Sequence, residues 1–340
     1  MKILVTLLFF SLFSCFIKAE AQINFIVNHE LELRNSIEPF YQSSQSEFFY
    51  YNNSVYISSD QESALAAFRL NDGEQILYKS IQGQGPFELS TIYNIFADEE
   101  GIFLIDYSGR AVKFDHNMTP INQWNTDYVR TKDLIIHFNN QILIANEAPN
   151  EDYYLNIYDI ENKNYTKLSP NQKDENILFS AFKEAGNLLF SGNKIYSVKP
   201  FGNDLYIYDP SSIDTPKSIS LEIPNFKSES ADQNVQAYYN DMQELRNFFE
   251  KNSLIANIFE LKELFALEVL HMHRNYEREL VLFDKDFNLL CSSVLPENLD
   301  GLEDPKFHFS DKEYLYVYRE EIHNDNNFKT FVTAYNPVCQ

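Results

Sequence analysis

One short pattern recurs through the chain and constrains its fold more than any other feature. A β-rich run ends in an aromatic residue or Leu, followed at once by Asp or Asn. The copies close at Leu70-Asn71, Phe114-Asp115, Tyr158-Asp159, Tyr208-Asp209, Phe283-Asp284 and Tyr335-Asn336. Their final residues are spaced by 44, 44, 50, 75 and 52. Upstream of each copy lies a second apolar run: Val55–Ser59, Ile102–Asp106, Ile142–Asn146, Ile195–Lys199, Leu264–Glu268 and Tyr314–Tyr318. A third precedes most of these across a turn-forming pair or triplet such as Asn52-Asn53 or Ser191-Gly192-Asn193. A fourth often follows, as in Gln75–Ile81 and Leu289–Leu295. Four short strands in about 45 residues is the period of a propeller blade. The repeated Asp or Asn sits where the third strand turns into the fourth. A carboxylate or amide there accepts hydrogen bonds from the turn's own N–H groups, so a structural role is expected for these six positions.

The pattern predicts an all-β chain, a six-bladed β-propeller spanning 22–340 as one domain. Only five residues follow Tyr335, too few for the last blade's fourth strand, while Ile23–Leu31 alternates like a strand and belongs to no repeat. A ring leaves no open edge if the first strand completes the last blade. Ile23–Leu31 is therefore expected beside Phe328–Tyr335. The 75-residue interval holds a helical insertion at about 224–252, between blades four and five. Val235, Tyr238, Tyr239, Met242, Leu245, Phe248 and Phe249 recur there at steps of three and four, and Ser230 and Gln233 form a capping box ahead of them. Such a helix either buttresses the rim or covers the channel, and the buttress is the expected role.

The amino terminus reads as an export address. Met1-Lys2 is basic, residues 3–17 are almost unbroken apolar, and Ala19-Glu20-Ala21 offers a small-residue cleavage site. Lipid attachment at Cys15 is the alternative, against which Phe13 and Phe16-Ile17 count. No later segment has the length or apolarity of a membrane helix. Cleavage after Ala21 removes Lys2, Lys18 and Glu20 and takes the formal charge from -23 to -24. So acidic a surface repels phosphate backbones, which argues against nucleic-acid partners. The mature chain keeps Cys291 and Cys339, which either pair or stay free. Nothing in the sequence brings them within bonding reach, so free thiols are the expectation.

Chemistry-bearing motifs are few. His271-Met272-His273 is the one close histidine pair, and on an extended strand both rings would point to one side. With no third ligand in view, no metal site is expected. No nucleophile elbow, Walker or dinucleotide glycine pattern is present, so neither a catalytic residue nor a cofactor is assigned. The loops between second and third strands supply the candidate ligand-binding residues Asp106, Arg110, His271, His273, Arg274 and Arg319. Glu147, Glu151, Asp152, Lys199, Glu320 and His323 share those loops. Basic residues are scarce, and arginines on one face would meet an anionic group by paired hydrogen bonds. Local ion pairs are the competing role.

The run Ile81-Gln82-Gly83-Gln84-Gly85-Pro86-Phe87-Glu88, then Ile92–Ala97, Gly101–Asp106 and Arg110–Asp115, resembles the six-bladed propeller proteins of Bacteroidetes, distant relatives of the NHL-repeat propellers. Those proteins often carry Gly-x-Gly-Pro-Gly-Glu after the first blade; here Phe87 stands at the third glycine. The resemblance implies a Gram-negative exported protein in the periplasm, at the outer membrane or outside the cell. It supplies a fold and a place rather than a reaction. The expected function is a non-catalytic module that binds a small molecule, a glycan or an envelope protein. The alternative is a lyase- or lactonase-type propeller enzyme, metal-dependent or not, acting on a sugar or peptide derivative.

Overall fold

The computed structural model describes residues 21–38, 40, 47–59, 62–106, 108–125, 131–137, 141–146, 153–159, 161–162, 164–170, 188–198, 201–209, 216–228, 242–295, 308–324 and 327–340. The first strand is Ile23–Leu33 (β1). A first set of four follows: Phe48–Tyr51, Ser54–Ser59, Ala64–Arg69 and Gln75–Ser80 (β2 to β5). The second is Ile92–Asp98, Gly101–Asp106, Arg110–Phe114 and Pro120–Asn125 (β6 to β9). The third is Thr131–His137, Gln141–Asn146, Tyr153–Asp159 and Asn164–Pro170 (β10 to β13). The fourth is Leu188–Ser191, Lys194–Val198, Asp204–Tyr208 and Lys217–Ser220 (β14 to β17). Helix Met242–Phe249 (α1) precedes the fifth, Ser253–Leu261, Leu264–His271, Glu277–Phe283 and Leu289–Val294 (β18 to β21). His308–Ser310, Leu315–Asn324 and Asn327–Cys339 (β22 to β24) end the chain.

These strands make six four-stranded sheets, antiparallel throughout, and the chain is an all-β propeller. The first strands of successive sheets lie against one another in the order β2, β6, β10, β14, β18, β22 and back to β2. The hydrophobic clusters lie between sheets, as flat faces stacked around an axis require. Val55, Ile57 and Phe68 of one sheet meet Tyr316, Tyr318 and Val332 of the last. Leu65 and Ala67 on the opposite face meet Ile95, Leu104 and Val112 of the next. Alternate residues of one strand thus serve two interfaces, which is the period-2 logic of a strand buried on both sides.

β1 pairs with β24 from Ile23↔Cys339 to Leu33↔Thr330, so the first strand is the outer member of the last sheet, as its orphaned pattern implied. It also reaches the sheets on either side. Ile23 N–H donates to Ser293 Oγ at 2.9 Å, and Arg34 N–H donates to the Gly73 carbonyl at 2.8 Å. Gly73 has φ +75°, and a Cβ there would lie 2.1 Å from the Glu32 carbonyl oxygen, so only glycine permits this approach.

The expectation of free cysteines is corrected. Cys291 and Cys339 form a disulfide, with a Cα–Cα distance of 5.8 Å. The reach comes from the start of β1: Gln22, just before it, bridges to Ser292, and Ile23 pairs with Cys339, which draws β21 and β24 together. The helical insertion is shorter in the described residues than its periodicity suggested, confined to α1. The capping box, Val235, Tyr238 and Tyr239 lie outside them. Phe248 and Phe249 of α1 are buried against Phe201, with ring centroids 5.7 and 6.3 Å away. That half of the helix buttresses the fourth sheet.

Candidate functional site

Loops between second and third strands share a face with the connections that run from one sheet to the next. Loops held on a rigid frame are where function concentrates. Two hydrogen-bonded knots stand on this face, one on the second sheet and one on the fifth.

In the first knot Asp106 ends β7 and is buried. Its Oδ1 accepts from Ser108 N–H at 2.8 Å, Ser108 Oγ at 2.6 Å and Arg110 N–H at 2.9 Å, while Oδ2 accepts from Ser90 Oγ at 3.3 Å. A carboxylate at this position closes the turn and ties it to the connection from the sheet before. Arg110 points into that same connection. One of its guanidinium nitrogens donates to the Glu88 carbonyl at 3.0 Å and to the Gly85 carbonyl at 3.4 Å. The glycine-rich run closes on itself. Gly85 N–H donates to Glu88 Oε2 at 2.7 Å, and Phe87, at φ +60°, donates its N–H to Gln123 Oε1 at 2.9 Å. Those amides are consumed within the protein, so this loop is not a phosphate cradle.

The second knot joins the ends of three strands of the fifth sheet. The expected extended run at His271-Met272-His273 is corrected: β19 stops at His271, and Met272–Arg274 form one turn of 3-10 helix. The turn sends Met272 into the core and leaves the two rings edge to face, with centroids 5.4 Å apart. His271 is fully buried. Its Nδ1 lies 2.9 Å from Ser253 Oγ and its Nε2 lies 2.7 Å from Glu279 Oε2. Ser253 Oγ already accepts the Lys227 N–H at 3.1 Å, and its own hydrogen is then free to reach Nδ1. Both ring nitrogens are thus engaged, one by the serine hydroxyl and one by the Glu279 carboxylate. This chain of serine, histidine and carboxylate has the membership of a hydrolytic triad, but it is sealed, and Ser253 has no exposure from which to attack a substrate. It works as a clasp joining β18, β19 and β20 to the connection at Lys227.

His273 lies at the margin of the clasp, with Nδ1 3.5 Å from the Asn252 carbonyl. Burial pushes its imidazole below the ordinary histidine value. The Asn252 carbonyl acts the other way, and the Coulombic influence of Lys227, His271 and Arg274 adds to the lowering. Arg274 pairs with Glu277 at 3.0 Å and keeps 40% of its side chain exposed. Asn275 and Tyr276 follow in the left-handed region, at φ +59° and +61°.

Arg319 lies elsewhere. It crosses the Phe331 ring at 5.2 Å and pairs with Glu30 of β1, along the outer part of the last sheet. Arg110, Arg274 and Arg319 thus belong to three sheets, and each has its own local partner. Of the other loop residues, Glu147, Glu151, Asp152 and Lys199 lie outside the described residues. Among the described residues no three His, Cys, Asp or Glu side chains gather as metal ligands, and no helix is long and apolar enough to cross a membrane. Ser253, Glu279 and Lys227 were not anticipated. The available signal was polar residues in place of apolar ones at neighbouring strand ends of a single sheet.

No family model matches the sequence, and no curated protein does either. Solved structures do resemble the fold. A Bacteroides fragilis protein taken to be exported is similar at a TM-score of 0.69 and 13% identity, covering 92% of this chain and 94% of its own. A member of the DUF4221 family from Bacteroides vulgatus gives 0.66 and 12%, covering 94% and 99%. A streptogramin B lyase gives 0.52 and 9%, covering 92% and 98%. Identities this low speak for architecture, and what this chain shares with the two Bacteroides proteins over nearly its whole length is the propeller fold.

Proposed function

We propose that the chain is an exported, six-bladed propeller, each sheet one blade, that binds a small molecule, glycan or envelope protein without transforming it. The docking face is the one that carries both knots. The observation that carries this reading is the use to which the acid–base candidates are put. Asp106 and the His271 ring spend their hydrogen-bonding capacity on the scaffold, leaving His273 and Arg274 to meet a ligand. Arg110 and Arg319 support loops and the last sheet, and they would touch a ligand only at their outer edges. Export rests on the basic and apolar amino terminus, and the fold likeness to a protein taken to be exported agrees with it. A lyase reading draws on the fold shared with streptogramin B lyase, but Asp106, His271 and Glu279, the acid–base groups at the centres of the two knots, are buried.

The test is to pair calorimetric binding with mass spectrometry of the same mixtures, using the full mature chain and panels of oligosaccharides and peptides. Binding with the ligand recovered unchanged is the expected outcome. A product accumulating with time overturns the non-catalytic reading.

A further inference from the structure

The fifth sheet's knot concentrates basic side chains in a chain with 50 acidic and 27 basic residues. Lys227 and His273 approach from two separate segments. The Lys227 backbone exchanges hydrogen bonds with Ser253, its carbonyl accepting from Ser253 N–H at 2.8 Å and its N–H donating to Ser253 Oγ at 3.1 Å. His273 meets the carbonyl of Asn252, the residue before Ser253. Arg274 is adjacent in the chain. Lys227 is exposed and forms no ion pair among the described residues. Arg274 gives one nitrogen to Glu277 and has further N–H donors to offer. Beside them Tyr276 is 48% exposed, on a loop whose two consecutive non-glycine residues hold left-handed backbone. Such outliers persist where the surroundings impose them, often at ligand clamps.

We propose that Lys227, His273, Arg274 and Tyr276 form a binding site for an acidic sugar, with the carboxylate met by the three basic groups and the sugar ring by Tyr276. This rests on the reading of the chain as a binding module and names the ligand class at one of its knots. The chemistry follows from the side chains. A carboxylate accepts charge-assisted hydrogen bonds from a guanidinium and an ammonium, and an exposed phenol offers an apolar face and a polar tip. The clasp behind the loop is rigid and fully bonded, so the groups are held in place before a ligand arrives. An anion beside His273 favours its protonated form, so affinity rises as pH falls through the imidazole's range. The titratable and charged groups that act on that ring are Lys227 from the preceding connection and His271 and Arg274 from its own loop; Glu277 pairs with Arg274 and Glu279 with His271, both from β20.

D-glucuronate, D-glucose and inorganic phosphate, at fixed ionic strength, are titrated into the full mature chain. The His273 ring resonance, assigned with His273→Gln, is followed by NMR. Glucuronate is expected to raise the His273 titration midpoint, and Lys227→Ala and Arg274→Ala are each expected to weaken its binding about tenfold, the loss of one charge-assisted hydrogen bond. A His273 resonance indifferent to glucuronate overturns the site. Equal responses to glucose, or to phosphate, overturn the acidic-sugar class. A different ligand found on this face by calorimetry, with glucuronate inert, sinks the site alone and leaves the binding-module reading standing.

Discussion

The aspartates that end the third strands show how much a single carboxylate can do without chemistry. Asp115 Oδ1 accepts from Thr119 N–H at 2.7 Å and Asn117 N–H at 2.9 Å. Asp159 Oδ1 accepts from Asn162 N–H at 2.9 Å and Glu161 N–H at 3.0 Å. Asp284 meets the Asn288 side-chain amide at 2.9 Å through Oδ2, and Asn288 N–H at 2.9 Å and Asp286 N–H at 2.8 Å through Oδ1. These donors hold all three carboxyls below the usual carboxylate range. A group depressed in the folded state stabilises it above the unfolded value, near 4 for aspartate. That contribution is lost as pH falls through the lower folded value. Melting temperature should therefore drop on acidification below about pH 4. A triple Asp115→Asn, Asp159→Asn, Asp284→Asn variant should melt lower at neutral pH and show a shallower acid drop. Equal acid slopes in the two proteins would show that these turns do not contribute.

At the scale of elements, the clasp of Ser253, His271 and Glu279 is where the fifth sheet concentrates polar bonding inside its core. Removing the imidazole leaves two buried polar partners unmet, a loss of the order of 2–3 kcal/mol. His271→Leu should lower the urea midpoint by a corresponding amount. Glu279→Gln, whose amide can donate to or accept from Nε2, should cost less. The reverse ranking would mean the clasp is held by charge rather than by hydrogen-bond count. The strands themselves were legible because their period is short and local: an aromatic followed by Asp is read directly. The clasp was not, since it depends on cross-strand register. Ser253 faces His271 across β18 and β19, and no pattern within either strand announces that pairing. The histidine pair misled for a related reason. An extended His271-Met272-His273 needs β19 to run through all three residues, and it stops at His271.

For the whole molecule, closure is the decisive event. The orphaned first strand revealed it in the sequence. The disulfide stayed hidden, because Cys291 and Cys339 meet only once β1 has drawn two sheets together. A cross-link between residues 48 apart restricts the unfolded chain by about 4 kcal/mol. Reduction under native conditions, or Cys291→Ala with Cys339→Ala, should lower the urea midpoint accordingly, with the far-ultraviolet circular dichroism of the sheets retained. An unchanged midpoint would show that β1 alone secures the seam.

Pairing Ile23 with Cys339 also sets a clock. The first strand emerges earliest from synthesis and cannot find its partner until the last residues follow. Until then it is an unpaired edge and the final sheet is incomplete. Non-local pairings of this kind fold slowly, because loop closure must be met before any contact rewards it. A chain wired this way delays its own completion until it is whole. If the chain is exported as proposed, that delay keeps it threadable, and β1 remains an edge to be shielded until its partner arrives.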